Sequence, residues 1–399
     1  MASIIRKSIS VLLFLFIISG CSIFRTISIM NSGSAMAMAR QEMTVPFDLK
    51  AHLIMIKVRV NYNPEEYNFI LDTGTFSVVS GEIAGSIKAK DEIVINAKDS
   101  NGTSKNTKMI LLDNLSVSGV AVSGCAAGVI DLKKLSELTG VRIDGLIGSN
   151  FLKNFRLVID YRKKILTFSR QSSETAAGGV YRISFEKDLS HGFAPKINCI
   201  LNNGLNEGGV IDTGASEYLT LPMDFKDRLL ITNGYRSEGE VMFGVFSPNS
   251  RSAYLSLVSD FKSGGLDMHD VPAVFADTGS PLIGKSFLSQ YIVTIDYIHN
   301  YLELRPYSDK TLFSYLFAGI ALKNESRRIV LCGLWHGSPA DKSGLRIGDE
   351  IISVNSKYTS DYPMIEFYDM IRDNSIKDLD MVIKRDGGEK NVRVEKELY

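Results

Sequence analysis

Two aspartates in this 399-residue chain sit in the same short context. Asp72 follows Asn68-Phe69-Ile70-Leu71 and precedes Thr73-Gly74-Thr75. Asp212 follows Gly209-Val210-Ile211 and precedes Thr213-Gly214-Ala215. Two carboxyl groups held close together cannot both ionise, so they share one proton and titrate as a unit. Such a pair supplies general base and general acid at once. One carboxylate takes a proton from water while the neighbouring acid hydrogen-bonds a carbonyl oxygen. Attack of water on a peptide carbonyl by this route needs no metal, cofactor or nucleophilic side chain. The flanking residues suit the task. Ile70-Leu71 and Val210-Ile211 read as buried strand that would hold each aspartate rigidly. Gly74 and Gly214 permit a tight turn and close approach of backbone to carboxylate. The Thr73 and Thr213 hydroxyls can hydrogen-bond across a pseudo-dyad and lock the two loops together.

An internal repeat positions the pair. Downstream of Asp72 lies Gly145-Leu146-Ile147-Gly148-Ser149-Asn150-Phe151-Leu152, and downstream of Asp212 lies Pro281-Leu282-Ile283-Gly284-Lys285-Ser286-Phe287-Leu288. Each copy closes alike, with Val158-Ile159-Asp160-Tyr161 and Thr294-Ile295-Asp296-Tyr297. The aspartate precedes the second glycine by 76 residues in one copy and 72 in the other, and that glycine precedes the Ile-Asp-Tyr aspartate by 12 residues in both. The repeats run over 45–170 and 180–307. Their segments are short, β-branched and bounded by Gly, Asn or Asp, so each is expected to be mainly β. One helix is expected in the first copy, with Asp131 near its start, Leu132, Leu135 and Leu138 on its apolar face and Gly140 at its end.

At this point the chain resembles aspartic peptidases of the pepsin and retropepsin type. The resemblance rests on the doubled hydrophobic-hydrophobic-Asp-Thr-Gly motif and on Leu146-Ile147-Gly148 and Leu282-Ile283-Gly284 behind it. It covers about 45–307 and is closest to bacterial retropepsin-like peptidases, with two copies fused in one chain. It implies a two-lobed β-barrel pseudo-dimer with Asp72 and Asp212 as catalytic residues. Thr73, Gly74, Thr75, Thr213, Gly214 and Ala215 would support the active-site loops. It also implies a polypeptide substrate and a monomer sufficient for activity. Hairpin flaps would cover the substrate, around Lys98–Thr103 in the first copy and Tyr235–Tyr254 in the second.

A third Asp-Thr-Gly, Asp277-Thr278-Gly279, lies only 65 residues after Asp212. Aligning Gly284 with Gly148 sets Asp277 opposite Val141, in a connection rather than at a catalytic turn, so it reads as structural. The true pair is unequal, with Thr75 after Gly74 but Ala215 after Gly214. A lost hydroxyl there is expected to raise the working pH of the pair.

From 310 to 399 the pattern changes. Ser338-Pro339-Ala340, Gly344-Leu345 and Gly348-Asp349-Glu350-Ile351-Ile352 resemble the PDZ domains of bacterial proteases. An amphipathic stretch over Met364 to Arg372 and a hairpin at Asp386-Gly387-Gly388 follow. The resemblance implies an α+β domain in which Phe317-Ala318-Gly319-Ile320 binds the C-terminal carboxylate of a peptide ligand by strand addition.

The other end reads as a targeting segment over 1–20. Arg6 and Lys7 precede an apolar run, Val11 to Ile18, that is too short to span a bilayer. The run ends in Ile18-Ser19-Gly20-Cys21, which resembles a bacterial lipoprotein signal. That resemblance implies lipidation of Cys21, a tether over 21–44, and a chain anchored in the cell envelope on the periplasmic or outer-membrane face. The 45 Lys+Arg balance 45 Asp+Glu, so no basic excess points to nucleic acid. No CxxC or His/Cys cluster exists, and zinc is not expected. Cys125, Cys199 and Cys332 are expected to pack as small core groups, with one disulfide left open. His191, His269, His299 and His336 are scattered and expected to be structural or solvent-facing. Two other readings keep the fold: a non-catalytic peptide-binding lipoprotein, and a PDZ scaffold.

Overall fold

The structure is a computed structural model that describes residues 26–87, 92–98, 104–171, 179–241, 253–308, 313–326 and 328–399. Cys21 and the segment before it lie outside these residues. So do 99–103 and 242–252, the tips of both expected flaps. Among the described residues no helix is long and apolar enough to cross a membrane.

The fold is mainly β, as two lobes and a C-terminal α+β domain. A six-stranded antiparallel sheet joins the lobes. Its two central strands are Arg156–Asp160 and Tyr291–Asp296, with Val158 opposite Thr294. Outward on one side lie Ile165–Ser169 and Glu42–Pro46. Outward on the other lie Tyr301–Pro306 and Tyr181–Asp188. The pseudo-dyad passes near Val158 and Thr294, and the two Ile-Asp-Tyr landmarks lie at opposite ends of this strand pair. Strand residues alternate between faces, and Leu157, Ile159, Val293 and Ile295 all point into a single apolar core that runs through both lobes.

Within each lobe the same four-strand arrangement carries the aspartate. In the first, Tyr67–Leu71 runs antiparallel to Leu53–Val60 and parallel to Gly145–Ile147, which is antiparallel to Val78–Ser80. In the second, Leu205–Ile211 runs antiparallel to Ala194–Leu201 and parallel to Leu282–Ile283, which is antiparallel to Leu219–Pro222. The expected first-lobe helix is Lys133–Thr139, and the lobe adds short helices at Gly81–Ser86 and Ser149–Leu152. Asp131 accepts from the Lys133 N–H at 3.0 Å, and Gly140 ends the helix in the left-handed region at φ 67°.

The C-terminal domain pairs Ile320–Glu325 with Arg328–Trp335, continues into Glu350–Val354, and closes with the hairpin Asp378–Arg385/Gly388–Glu395. Asp386 and Gly387 form the two-residue turn, both at positive φ. The amphipathic stretch is the helix Met364–Arg372, which buries Met364, Phe367 and Met370. Asp349 is almost fully buried and meets Arg385 Nε at 2.6 Å. That charge pair fixes the loop at Gly348. The domain is not a free appendage: lobe-two strand Tyr235–Gly239 pairs with Arg328–Trp335, Glu238 opposite Leu334. Cys125, Cys199 and Cys332 are buried free thiols.

Candidate active site

Each aspartate follows directly from the last residue of a buried strand. The Asp72 N–H donates to Ile147 O and the Asp212 N–H to Ile283 O, both at 3.0 Å. The hydrophobic-hydrophobic-Gly segments therefore act as backboards for the two loops. Their glycines are required by close approach. A Cβ on Gly148 would lie 2.3 Å from Phe76 C, and one on Gly284 would lie 2.2 Å from Glu217 O.

The structure brings Asp72 and Asp212 together, with their carboxyl groups in hydrogen-bond contact. Asp212 is 9 % exposed and Asp72 is half-buried. Each loop also reaches the other carboxylate. A Cβ on Gly74 would lie 2.4 Å from Asp212 Cγ, and one on Gly214 would lie 2.5 Å from Asp72 Oδ2. Thr73 and Thr213, fully buried, lace the loops crosswise. The Thr73 hydroxyl donates to Ile211 O at 2.7 Å and accepts the Thr213 N–H at 3.0 Å. The Thr213 hydroxyl donates to Leu71 O at 2.8 Å and accepts the Thr73 N–H at 3.1 Å. Thr73→Val deletes one hydroxyl and strands a buried donor and a buried acceptor. At about 1–3 kcal/mol for each stranded group, chemical denaturation of Thr73→Val should show a loss of about 2–6 kcal/mol, with Thr73→Ser close to wild type.

The two carboxyl groups are also unequal in their backbone donors. Asp72 Oδ1 accepts the Gly74 N–H at 2.9 Å. Asp212 Oδ1 accepts two N–H groups, from Gly214 at 2.8 Å and from Ala215 at 3.0 Å. Burial, then the charge of Asp212, pushes the Asp72 carboxyl well above the usual range, against the one N–H from Gly74. Burial also raises Asp212. The two backbone N–H groups, the hydrogen bond from Asp72 and the nearby His191 oppose that rise. The second backbone N–H favours the charged form at Asp212, so the shared proton leans toward Asp72. Thr75 contributes through its carbonyl, which accepts Ser149 N–H at 2.8 Å, as Ala215 O accepts Lys285 N–H at 2.7 Å.

Asp277 stands apart. It is exposed in the turn after the strand Leu266–Ala276, where Thr278 N–H donates to Ala276 O and Thr278 Oγ1 to Ser280 O. Its place in the chain is the connection into Leu282–Ile283.

Phe317 and Ala318 are buried, and Gly319 has φ +83°. Ala318 O and Gly319 O already accept N–H groups from Ala340 and Trp335, and a Cβ on Gly319 would lie 2.2 Å from Ser338 Cβ. The loop through Ile320 is thus held in shape from within the C-terminal domain. The lobe-one helix Lys133–Thr139 and the helix Met364–Arg372 both pack near the strand Ile320–Glu325.

Several site residues escape a reading of the motifs alone. His191, expected to be scattered, ends the short turn Leu189–His191, bonds Asp188 at 3.0 Å and lies near Asp212. Phe193 sets its ring 6.5 Å from Phe76, just past the Asp72 loop. Lys285, beside Gly284, occupies the position of Ser149 in the other copy and is only 9 % exposed. That mismatch between the repeats was the available signal.

Residues 56–151 match the family model described as aspartyl protease, and residues 336–385 match the model described as PDZ domain. No curated protein matches the chain. The first match spans lobe one from within the strand Leu53–Val60 to the segment behind Asp72, and lobe two repeats the strand arrangement around its aspartate. The chain therefore carries an aspartyl protease domain and, C-terminal to it, a PDZ domain.

Proposed function

We propose that the chain is an aspartic endopeptidase whose working pair is Asp72 and Asp212. The observation that carries the reading is the mutual contact of the Asp72 and Asp212 carboxyl groups inside crosswise-laced loops, with two backbone N–H groups on Asp212 against one on Asp72. Asp212, as carboxylate, takes a proton from a water set between the two groups. Asp72, as acid, donates to the oxygen of the scissile carbonyl. The oxygen of that water bonds to the carbonyl carbon to give a neutral tetrahedral diol. The proton taken up by Asp212 then passes to the leaving nitrogen, a diol hydroxyl returns its proton to Asp72, and the C–N bond breaks. The backbone N–H groups on Asp212 are in place before the reaction and need no reorganisation during it.

Incubating residues 26–399 with a diverse peptide pool across pH tests the reading, with mass spectrometry to locate cuts. Cleavage that survives either Asp72→Asn or Asp212→Asn would sink it. Asp277→Asn is expected to stay within about twofold of wild type, as surface changes away from a site do.

The remaining parts of the proposal rest on sequence. The run before Cys21 supports a lipid-anchored protein of a bacterial cell envelope, tethered over 21–44. Metabolic labelling with a fatty-acid analogue, lost on Cys21→Ala, is the test. The PDZ domain is proposed to regulate or position substrate.

A further inference from the structure

The helix Met364–Arg372 has two faces. Met364, Phe367 and Met370 enter the core of the PDZ domain. Ile365, Asp369 and Arg372 follow the i, i+4, i+7 spacing of a single stripe. All three lie against the protease. The Ile365 backbone and Met364 Cβ are 3.5 Å from where a Cβ on Gly140 would stand, at the end of the lobe-one helix. Asp369 Oδ1 is 3.8 Å from His52 Nε2. Arg372 donates to Glu217 Oε1 at 3.0 Å. The helix thus runs from lobe one to lobe two.

His52 is delivered by a two-residue turn, Ala51-His52, with both residues in the left-handed region at φ 49° and 60°. Neither is glycine, and such backbone persists where its surroundings hold it. Its Nδ1 meets Lys285 Nζ at 3.3 Å, and its Nε2 is buried without a hydrogen bond among the described residues. Burial, then the charges of Arg372 and Lys285, lowers the imidazole to about 2, so it is neutral. The charged groups facing one another here are Lys285 and Arg372 against Glu217 and Asp369.

This cluster stands behind the second catalytic loop. Glu217 lies five residues after Asp212, and its carbonyl closes on Gly284. Lys285 N–H holds Ala215 O, and Ala215 N–H holds Asp212 Oδ1. The first loop has no counterpart: Ser149 stands where Lys285 does and donates to Thr73 O at 2.7 Å.

We propose that the PDZ helix Met364–Arg372 is a strut across the two lobes, and that Arg372, through Glu217, is a positioning residue for the loop that holds Asp212. The PDZ domain is then part of the catalytic unit rather than a module that only recruits substrate. The inference rests on Asp72 and Asp212 being the working pair.

The test uses a fluorogenic peptide built on a site that the wild-type chain cleaves. Arg372→Ala is expected to lower kcat about 10- to 100-fold, the penalty of a small misplacement at a reacting group, with KM within about twofold. Glu217→Gln, nearly isosteric, should match it. The double variant should be no worse than either single one, because both remove the same link. Arg372→Lys should recover part of the loss. The acid limb of the rate profile should move to higher pH in both single variants as Asp212 loses its N–H contacts.

Full kcat in Arg372→Ala and Glu217→Gln, alongside inactive Asp212→Asn, would overturn the strut and spare the dyad. Activity in Asp212→Asn would instead overturn the dyad. Should Arg372→Ala fail to fold by circular dichroism, Glu217→Gln carries the comparison. A second arm exploits the 3.5 Å separation of Met364 Cβ from a Cβ at 140, which lies within disulfide range. The Gly140→Cys, Met364→Cys pair should cross-link on oxidation and keep kcat within about twofold of its reduced form. Loss on oxidation that reductant restores would overturn a fixed strut.

Discussion

Asp212→Asn is expected to remove peptide cleavage, with a loss of about 100- to 10,000-fold or more in kcat, the range carried by a positioned acid or base. Asp72→Asn should lose as much, because the two carboxyl groups work as one unit. The variants should separate in stability, measured as Tm against pH. Asp72 has its carboxyl raised well above the usual value, by burial first and then by Asp212. A group raised on folding binds its proton more tightly in the folded state than in the unfolded state. Its favourable contribution is complete below the unfolded pKa, near 3.8, and is lost as pH rises through the folded value. Wild type should therefore lose stability from about pH 4 upward. Asp72→Asn carries no such group, so its Tm advantage should be larger at pH 7 than at pH 3.5. Asp212 is raised too, against two N–H donors, and Asn cannot accept from them as a carboxylate does. The gain for Asp212→Asn should be smaller. Equal gains in both variants at pH 7 would contradict the placement of the proton on Asp72.

Gly214→Ala is the second large effect. A methyl group there would stand 2.5 Å from Asp72 Oδ2 and 2.6 Å from its Cγ, with the mirror clash, Gly74 against Asp212, at 2.4 Å. No real Cβ survives at such distances, so the carboxyl or the whole loop must move. The loops are pinned by the Thr73 and Thr213 hydroxyls and by Ile147 O and Ile283 O, so the carboxyl is what gives. Displacement of a reacting group by about 1 Å costs roughly 100-fold. Gly214→Ala and Gly74→Ala are each expected to lose at least that in kcat while staying folded, with about 1–3 kcal/mol of strain read by chemical denaturation. A variant with wild-type kcat would show that the carboxyl groups do not stand where these loops place them.

Much of this was legible in the residues. The doubled Asp-Thr-Gly and the matched Gly148 and Gly284 could be aligned because strand pairs impose fixed separations along the chain. The parallel pairing of Ile147 with Leu71 and of Ile283 with Ile211 is the physical content of that alignment. It also placed Asp277 in a connection, where the structure has an exposed turn. The source of the inequality between the aspartates was not legible. A side-chain comparison, Thr75 with Ala215, pointed to a hydroxyl, and the structure adds a second backbone N–H on Asp212. Backbone donors carry no signature in residue type. The docking of the PDZ helix escaped for a similar reason. The stretch Met364 to Arg372 reads as amphipathic, and nothing in the residue types of Asp369 and Arg372 names the His52 and Glu217 they meet in the protease.

The six-stranded sheet puts the two copies about one axis, as in a dimer of identical chains, where whatever one side does the other must do. Joining the copies in a single chain lifts that constraint. Lys285 can face a PDZ helix while Ser149, its mirror position, bonds Tyr297 at 2.7 Å inside the core. A symmetric assembly would carry two such domains per catalytic centre and would oblige them to answer together. Here each chain carries one such domain for one pair of aspartates, and its Arg372 meets only the loop of Asp212, through Glu217.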